Sequence, residues 1–319
     1  YQIGLATSTN GYEWQKYDDP TTTNPPFAES DPVLRPSPGQ WDGSSVESAS
    51  VILKDEVLHL WYVGSRTPTS TNLWRIGDAT APVTFHVPTF VSPIQEAIDV
   101  SNDGNIVLVE EGTYYENIDF KGKAITVASR FLMDGDTSHI SRTIIDGSQP
   151  SNPDSGSVVY FGSGGDTTSV LKGFTITGGT GTYGAVFGTP YWAAGGIAIF
   201  SGCKIENNRI VNNSVSSQGI NGLGGGIGAG LTEDNVIIKD NTISSCTVEG
   251  NRVFGGGMYI YSAGASHVQI MNNLITNNEI TATGPNTVGG GLACEGENIP
   301  WTLEIVGNTI SNNRSVNLP

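Results

Sequence analysis

The second half of the chain carries apolar residues at two distances, a short one typical of strands and a long one typical of a repeated unit. Over the short distance they alternate with other residues, as in Ile197/Ile199 and Cys203/Ile205, which is the period of a β-strand. Over the long distance a central isoleucine recurs at intervals of 33, 32 and 35 residues, at Ile210, Ile243, Ile275 and Ile310. The two spacings together predict short strands inside a repeating unit.

Four copies of this unit share the same order of segments. Each opens with a glycine run and an aliphatic residue, in "AGGIAIF", "GGGIGAG", "GGGMYIY" and "GGGLACE". Each continues with an apolar and Asn-rich segment, in "CKIENNRIVNN", "VIIKDNTISSC", "VQIMNNLITNN" and "LEIVGNTISNN". A unit of about 30 residues that buries one face is unstable alone, so neighbouring units must stack. We therefore predict an all-β fold, a right-handed parallel β-helix with three strands per turn and turns about 4.8 Å apart.

The asparagines fit the corners of such a helix. Asn tolerates the left-handed backbone conformation of tight turns, and stacked Asn amides can bond one another from turn to turn. The sequence predicts one ladder at Asn208, Asn241, Asn273 and Asn308, and a second at Asn213, Asn278 and Asn313, which Cys246 interrupts.

Residues 83–319 are predicted to form the β-helix, with coils over about 105–319 and the last coil truncated at the C-terminus of the sequence. A cap helix is predicted over about 92–100, where Ser92 and Gln95 match a capping box and Pro93 occupies the first helical position. The stretch 92–131 resembles the N-terminal cap and first coils of pectate-lyase-like β-helix proteins, including pectin methylesterases. The glycine–aliphatic and Asn repeats also resemble those of bacterial β-helix surface proteins. This resemblance covers residues 86–319 and implies the fold, whereas one fold hosts many activities.

Residues 1–82 lack the repeat and form a separate predicted module. "IGLATSTNGYEWQKY" predicts a hairpin with an Asn10–Gly11 turn, and "RIGDAT" repeats "QIGLAT" at an offset of 73 residues. The module resembles one blade of five-bladed β-propeller glycoside hydrolases. It is incomplete, because a propeller needs at least about four blades to close. In those enzymes carboxylates line the central channel, so the resemblance implies Glu47 as a catalytic candidate.

Composition and charge narrow the function further. The net charge is −16 and no basic cluster occurs, which argues against nucleic acid or an anionic membrane as partner. No apolar run reaches the roughly 18 residues of a membrane span. Three scattered cysteines do not make a disulfide framework. The sequence begins without Met or a signal peptide, so we expect a fragment of a longer protein.

Candidate chemistry is sparse. Glu233 and Asp234 at one corner are further catalytic candidates, although the outward positions of the glycine-led strand hold neither an acid pair nor an Arg/Lys column. The acidic loop with Asp134 and Asp136, together with Asp146, is a candidate Ca²⁺ site, because this ion prefers clustered oxygens.

Aromatic residues are the clearest candidates for binding. Sugar rings stack on exposed aromatic side chains, and such residues cluster on one predicted outward face and in the long segment 178–196 before it. The predicted substrate-binding residues are Tyr183, Tyr191, Trp192, Phe200, Tyr259, Tyr261 and Glu295, and Phe187 lies in the same segment. The alternative is that this segment folds over the strand and buries the aromatics.

These features together predict an extracellular or cell-surface protein that recognises or processes a polysaccharide or a cell-surface glycan. An enzyme of this kind would be a polysaccharide lyase or a glycoside hydrolase. The alternatives are a non-catalytic adhesin or structural spacer, and an accessory domain of a propeller glycosidase.

Overall fold

The chain divides into two compact units, Tyr1–Val83 and Thr84–Pro319. The structure, a computed structural model, describes residues 2–4, 6, 7, 15, 16, 32–37, 42, 44–54, 57–65, 75–186, 189–217, 220–284, 287–297 and 300–318. No helix within these ranges is long and apolar enough to cross a membrane.

The first unit is built from antiparallel pairs. The strands are β1 (Ile3–Gly4) with β4 (Pro32–Leu34), β2 (Ala6–Thr7) with β3 (Gln15–Lys16), and a sheet of β5 (Ser45–Lys54), β6 (Val57–Ser65) and β7 (Arg75–Pro82). Ile3, Val46 and Tyr62 form its buried cluster. The predicted Asn10–Gly11 turn lies outside the described residues.

The second unit is a parallel β-solenoid of about six turns, as predicted. Three parallel sheets enclose its core. Sheet I contains β8 (Thr84–Val87), β9 (Ile106–Val109), β12 (Thr126–Ser129), β16 (Val170–Lys172), β21 (Cys203–Glu206), β26 (Asn235–Lys239), β31 (His267–Met271) and β36 (Thr302–Val306). Sheet II contains β10 (Gly112–Tyr114), β13 (Thr143–Asp146), β17 (Thr175–Thr177), β22 (Arg209–Val211), β27 (Thr242–Ser244), β32 (Leu274–Thr276) and β37 (Thr309–Ser311). Sheet III contains β11 (Ile118–Asp119), β15 (Val159–Phe161), β20 (Ile197–Ile199), β25 (Ile227–Leu231), β30 (Met258–Ser262) and β35 (Leu292–Gly296).

Two further sheets arise where the chain passes from sheet II to sheet III. Sheet IV contains β14 (Ser155–Gly156), the antiparallel hairpin β18 (Gly181–Val186) and β19 (Thr189–Ala193), then β24 (Asn221–Leu223), β29 (Arg252–Phe254) and β34 (Thr287–Val288). Sheet V contains β23 (Ser214–Ser216), β28 (Thr247–Gly250), β33 (Glu279–Ala282) and β38 (Arg314–Asn317). The helices are α1 (Ile94–Val100), α2 (Phe131–Asp134) and α3 (Ser138–Arg142).

The core consists of columns of aliphatic side chains in register. Ile210, Ile243, Ile275 and Ile310 pair in sequence along sheet II, which confirms the predicted column. The first three of these are fully buried, and each buried aliphatic side chain contributes roughly 1.5–3 kcal/mol. Ile310 lies on the last described turn and is 48% exposed. The register therefore follows directly from the spacing of the isoleucines.

Each corner doublet divides two tasks between its residues. The first residue adopts the left-handed conformation, as at Asn207 (φ 56°) and Asn212 (φ 55°). The second residue, such as Asn208 or Asn213, is buried and forms the ladder. The sequence prediction placed both properties on the Asn residues without separating them. This division explains why Asn occurs in pairs.

The ladder residues bind the backbone of the preceding turn. Asn241 Oδ1 accepts hydrogen bonds from the Asn208 N–H (2.9 Å), and Asn241 Nδ2 donates to the Ile205 carbonyl (2.8 Å). The same contacts recur at Asn273 and Asn308. The first ladder is therefore confirmed, and every member satisfies buried backbone groups that strands leave unpaired at a corner.

The second ladder is also confirmed, including its interruption. Asn278 Oδ1 accepts from the Cys246 N–H (3.0 Å), so Cys246 occupies a ladder position. Its Sγ lies 3.7 Å from the Ile210 carbonyl, in place of an amide donor. Burial raises the pKa of the Cys246 thiol to about 11, which keeps it a neutral thiol at ordinary pH.

Helix α1 falls within the predicted range, but its N-terminus is not held by the predicted capping box. Pro93 is the N-cap residue rather than the first helical residue, and no side chain of the helix caps it. Instead Glu116 accepts hydrogen bonds from the Ile94 N–H (2.9 Å) and the Gln95 N–H (3.0 Å). A carboxylate at this end also complements the helix dipole. The capping-box prediction was wrong because a distant residue provides both acceptors.

The glycine runs make the corner between sheets IV and III. Gly255 has φ 62°, a conformation that favours glycine. A Cβ on the next residue, Gly256, would lie 2.3 Å from the Gly290 carbonyl of the following turn. The close approach of neighbouring turns therefore excludes side chains here, and the chain bends sharply between the two sheets.

Replacing Asn241 by Ala is expected to lower the free energy of unfolding by about 2–4 kcal/mol. The Asn208 N–H and the Ile205 carbonyl would each lose a buried partner, at about 1–3 kcal/mol per group. Urea denaturation measures the effect. Asn277→Gly is the control, since Asn277 is exposed with φ 56° and glycine adopts this conformation freely. A similar loss of stability in both variants would contradict a special role for the ladder.

Replacing Glu116 by Ala is expected to lower the free energy of unfolding by about 1–2 kcal/mol, because two N–H groups of α1 lose their acceptors. Ser92→Ala is expected to change it by less than about 0.5 kcal/mol, since Ser92 is exposed and does not cap the helix. Thermal and urea unfolding compare the two variants. If Ser92→Ala were the more damaging change, the helix would be capped as the sequence first indicated.

Candidate functional site

A cavity of about 330 Å³ lies in the angle between the outer face of sheet III and one face of sheet IV. Its size falls in the range of small-molecule sites, roughly 300–1,000 Å³. Sheet III provides the floor and sheet IV the wall. The lining residues are Tyr191, Ala193, Phe200, Asn221, Leu223, Gly228, Ala229, Gly230, Arg252, Phe254, Tyr259, Tyr261 and Glu295.

Alternation between small and large residues on sheet III creates the space. Gly228 pairs with Tyr259, and Gly230 pairs with Tyr261 on the next turn. The glycines leave room beside the two tyrosine rings, because they carry no side chain on the outward face. A Cβ on Gly230 would lie 3.3 Å from the Phe200 ring, so this ring closes over the small position.

Sheet IV adds aromatic residues through its own alternation. Tyr191 on β19 and Phe254 on β29 both face the cavity. The rings of Phe254 and Tyr259 lie 5.6 Å apart between centroids, with planes inclined by 41°. Tyr191 is 8% exposed and Tyr259 is 6% exposed, so these rings are largely covered by their neighbours. Successive turns thus contribute aromatic side chains to one concave surface.

Both tyrosines of β30 are bound through their hydroxyl groups to carboxylates. The Tyr259 hydroxyl donates to Glu295 Oε2 (3.0 Å), and the Tyr261 hydroxyl donates to Glu297 Oε1 (2.7 Å). Burial, then the interactions with these carboxylates, raises the pKa of Tyr261 to about 12 and raises the pKa of Tyr259 further. The tyrosines therefore remain neutral donors, and the carboxylates fix their ring positions.

One cation lies among the described lining residues. The Arg252 guanidinium sits over the Phe254 ring, 5.7 Å from its centroid, while its side chain stays exposed. Arg252 and Glu295 give the cavity one group of each charge, and Asn221 adds an amide. The site can therefore combine ring stacking with hydrogen bonds of both polarities.

The structure brings together five of the seven predicted binding residues and separates the other two. Tyr191, Phe200, Tyr259, Tyr261 and Glu295 line the cavity. Tyr183 and Trp192 pair across the β18–β19 hairpin. Neighbouring strand residues face opposite sides, so both lie on the side of the hairpin away from Tyr191. Phe187 lies outside the described residues.

Asn221, Arg252, Phe254 and Glu297 were missed by the sequence analysis. The first three lie on strands of sheet IV, which the sequence analysis did not predict as strands. A usable signal existed, because "INGLG" and "NRVFG" end at the same distance before the glycine corner as "PYWAA". Aligning these segments would have predicted a fourth stack of strands.

The catalytic candidates lie elsewhere. Glu47 is a half-buried residue of β5 in the first unit, paired with Val63. Glu233 is exposed at a corner of the solenoid. The carboxylate of Asp234 accepts the Thr232 N–H (3.0 Å), which is a local turn contact. Asp234 and Glu233 do not line the cavity described above.

The three metal candidates stabilise turns. Asp134 accepts the Asp136 N–H, Asp136 accepts the Ser138 N–H, and Asp146 accepts the Ser148 N–H. These backbone hydrogen bonds are the first cause that lowers the pKa of both Asp134 and Asp136. No group of three or more His, Cys, Asp or Glu side chains suited to a metal ion occurs in the described part of the chain.

His139 links this acidic segment to the solenoid. Its Nδ1 lies 2.6 Å from Glu111 Oε1, and its Nε2 lies 3.1 Å from Asp134 Oδ2. Arg142 also contacts Glu111, at 2.8 Å. The cluster holds α2 and α3 against the end of sheet II.

Comparison with known proteins identifies no relative: no protein-family model, no curated protein and no solved structure matches the chain. The resemblances to pectate-lyase-like proteins and to propeller glycoside hydrolases gain no support from these comparisons. Conclusions about function therefore depend on the geometry of the chain itself.

Tyr259 and Tyr261 are expected to stay protonated in the folded protein at a pH of about 11, where exposed tyrosines with a pKa near 10 ionise. The raised pKa favours the folded state below about pH 10, and this contribution is lost as pH rises towards 12. Near-ultraviolet tyrosinate absorbance measures the effect. Tyr259→Phe and Tyr261→Phe should leave the folded signal unchanged and each remove one tyrosine's signal from the denatured protein. A reduced folded signal would show that the hydroxyl is not protected.

Proposed function

We propose that the aromatic cavity binds a glycan, and that the protein recognises a polysaccharide or cell-surface glycan through it. The observation that carries the proposal is the convergence of Tyr191, Phe200, Phe254, Tyr259 and Tyr261 on one concave surface. A sugar ring has apolar faces that stack on aromatic rings and a rim of hydroxyl groups that needs hydrogen bonds. Asn221, Arg252 and Glu295 offer these hydrogen bonds.

The carboxylates of the cavity favour recognition of a glycan over its hydrolysis. Glycoside hydrolases use a pair of carboxyl groups across the scissile bond. Glu295 is the one carboxylate among the described lining residues, and Tyr259 donates a hydrogen bond to it. Glu297 beside the cavity is likewise bound by the Tyr261 hydroxyl, so both carboxylates hold tyrosine rings in place. A lyase variant of the proposal, in line with the pectate-lyase-like resemblance, would need a base to take a proton from the sugar. Arg252 is the basic group in the lining that this variant would use.

A rigid spacer is the second candidate, and the Asn ladders favour it. The first ladder continues through Asn208, Asn241, Asn273 and Asn308 without a break. Such side-chain contacts along the stacking direction suit a stiff rod that holds other parts of a surface protein apart. Both candidates fit an extracellular or cell-surface location, which is part of the proposal. The propeller-blade resemblance of residues 1–82 would make the solenoid an accessory domain.

Tyr261→Ala is expected to weaken glycan binding by at least about tenfold, because a stacked aromatic anchor contributes on the order of 2 kcal/mol. A glycan array identifies the ligand, and calorimetry with that ligand compares the variants. Tyr115→Ala is the matched control, since Tyr115 is 58% exposed and lies outside the cavity. Equal binding by both variants, or no binding by the native protein, would contradict the proposal and leave the spacer.

Incubation with soluble polysaccharides distinguishes recognition of a glycan from its cleavage. Incubation with pectin, alginate and neutral polysaccharides should release no oligosaccharides if the site only binds. Release that is abolished by Arg252→Ala would replace the recognition proposal with the lyase variant.

A further inference from the structure

A second cleft, also of about 330 Å³, lies on the other side of the β18–β19 hairpin. It is separate from the aromatic cavity, and the two sites share no lining residue among those described. Its described lining consists of Pro153, Thr180, Trp192, Ser214 and Ser216. The cleft therefore combines one large aromatic ring, one proline ring and three hydroxyl groups.

Trp192 is held in place rather than free to move. Its indole packs against the small core between sheets IV and V, which includes Val215 and Val248. Tyr183 lies beside it, with ring centroids 5.6 Å apart and planes inclined by 60°. Tyr183 is 48% exposed. The two rings thus form a firm aromatic edge next to the hydroxyl groups.

The hydroxyl groups of the cleft are exposed. Thr180, Ser214 and Ser216 are exposed residues, and none of their side-chain hydroxyls forms a hydrogen bond with another residue that the structure describes. The indole N–H of Trp192 likewise has no acceptor within the described ranges of the chain. Nearby hydroxyls behave differently, since Ser157 Oγ donates to the Ala194 carbonyl (2.6 Å). The cleft therefore presents three hydroxyl groups to a ligand.

Charge distinguishes this cleft from the cavity. None of the described residues lining the cleft is charged, whereas the cavity contains Arg252 and Glu295. A carboxylate or ammonium group on a ligand would find no counter-charge among these lining residues in exchange for lost hydration. Hydroxyl groups on a ligand would exchange water for the protein hydroxyls at little cost.

We propose that this cleft is a second carbohydrate site, which binds an uncharged sugar unit stacked on Trp192 and hydrogen-bonded to Thr180, Ser214 and Ser216. The sugar is a neutral pyranose of an oligosaccharide rather than a uronic acid or an amino sugar. The site does not depend on the aromatic cavity, because it uses other residues on another face. The proposal therefore stands or fails separately from the one above.

The experiment uses calorimetry with the full chain and two groups of oligosaccharides. Neutral probes are cello-, manno- and xylo-oligosaccharides, and charged probes are oligogalacturonates and glucosamine oligomers. Trp192→Ala is expected to weaken binding of a neutral probe by at least about tenfold, while Trp192→Phe retains most of it because a stacking ring remains. Tyr261→Ala isolates the cleft, since this change removes a ring from the cavity alone.

Trp192→Ala also removes packing from the small core, so this variant could lose binding because it misfolds. The double variant Ser214→Ala/Ser216→Ala tests the cleft without that change in packing. Both serines are exposed, so the fold should be unaffected. Because the hydrogen bonds from the two serines are lost, the affinity for the neutral probe should fall by about threefold to tenfold. Thr113→Ala is the control, an exposed hydroxyl on β10 outside both sites.

Neutral binding that survives Tyr261→Ala and falls in Trp192→Ala and in the serine variant supports the second site. This pattern supports the second site whether or not Tyr261→Ala weakens the binding of another probe. If Tyr261→Ala weakens the binding of no probe, only the cavity proposal is overturned. Binding that is lost in Tyr261→Ala and unchanged in Trp192→Ala overturns the second site and leaves the cavity proposal standing. If a charged probe binds more tightly than the neutral probes and Trp192→Ala weakens that binding, the proposal that the ligand is an uncharged sugar is overturned. Absence of binding by any probe overturns both sites.

Discussion

The buried amide of each ladder Asn is the contact on which the rest of the solenoid depends. A buried amide group without partners is costly, and its partners lie on the backbone of the preceding turn. Asn241, for example, satisfies the Asn208 N–H and the Ile205 carbonyl at once. A slip of one residue between turns would break these bonds and turn the isoleucines out of the core. The amides therefore fix the register, and the register fixes every other column.

The parts of the fold set by local repetition could be predicted from the sequence. The isoleucine column and both ladders follow from periodic spacing, because equivalent residues of a solenoid must stack. The capping of α1 could not, since Glu116 is more than twenty positions away from Ile94. The split of the aromatic residues was also missed. Tyr191 and Trp192 are neighbours on a strand, and without a strand predicted over the segment 178–196 the sequence gave no reason to place them on opposite faces.

The binding surfaces lie outside the main core. The cavity lies on the outer face of sheet III, and residues of sheet IV line both sites. Sheet IV is formed by the segments that connect sheet II to sheet III. The aliphatic columns inside the three main sheets stabilise the turns, whereas Tyr261 and Ser214 lie outside these columns. The main core and the binding surfaces thus use different residues of the same turn, although Trp192 and Tyr259 also pack in small clusters of their own.

The sharp corner at the glycine runs has a consequence for redesign. Gly224, Gly255 and Gly289 return the chain to sheet III at the same point in successive turns. The segment before each of them therefore begins and ends at fixed corners, as between Asn213 and Gly224 in one turn. Substituting only its outward-facing residues, while the buried Val215 is kept, would vary ligand preference and preserve the pairing of sheets IV and V.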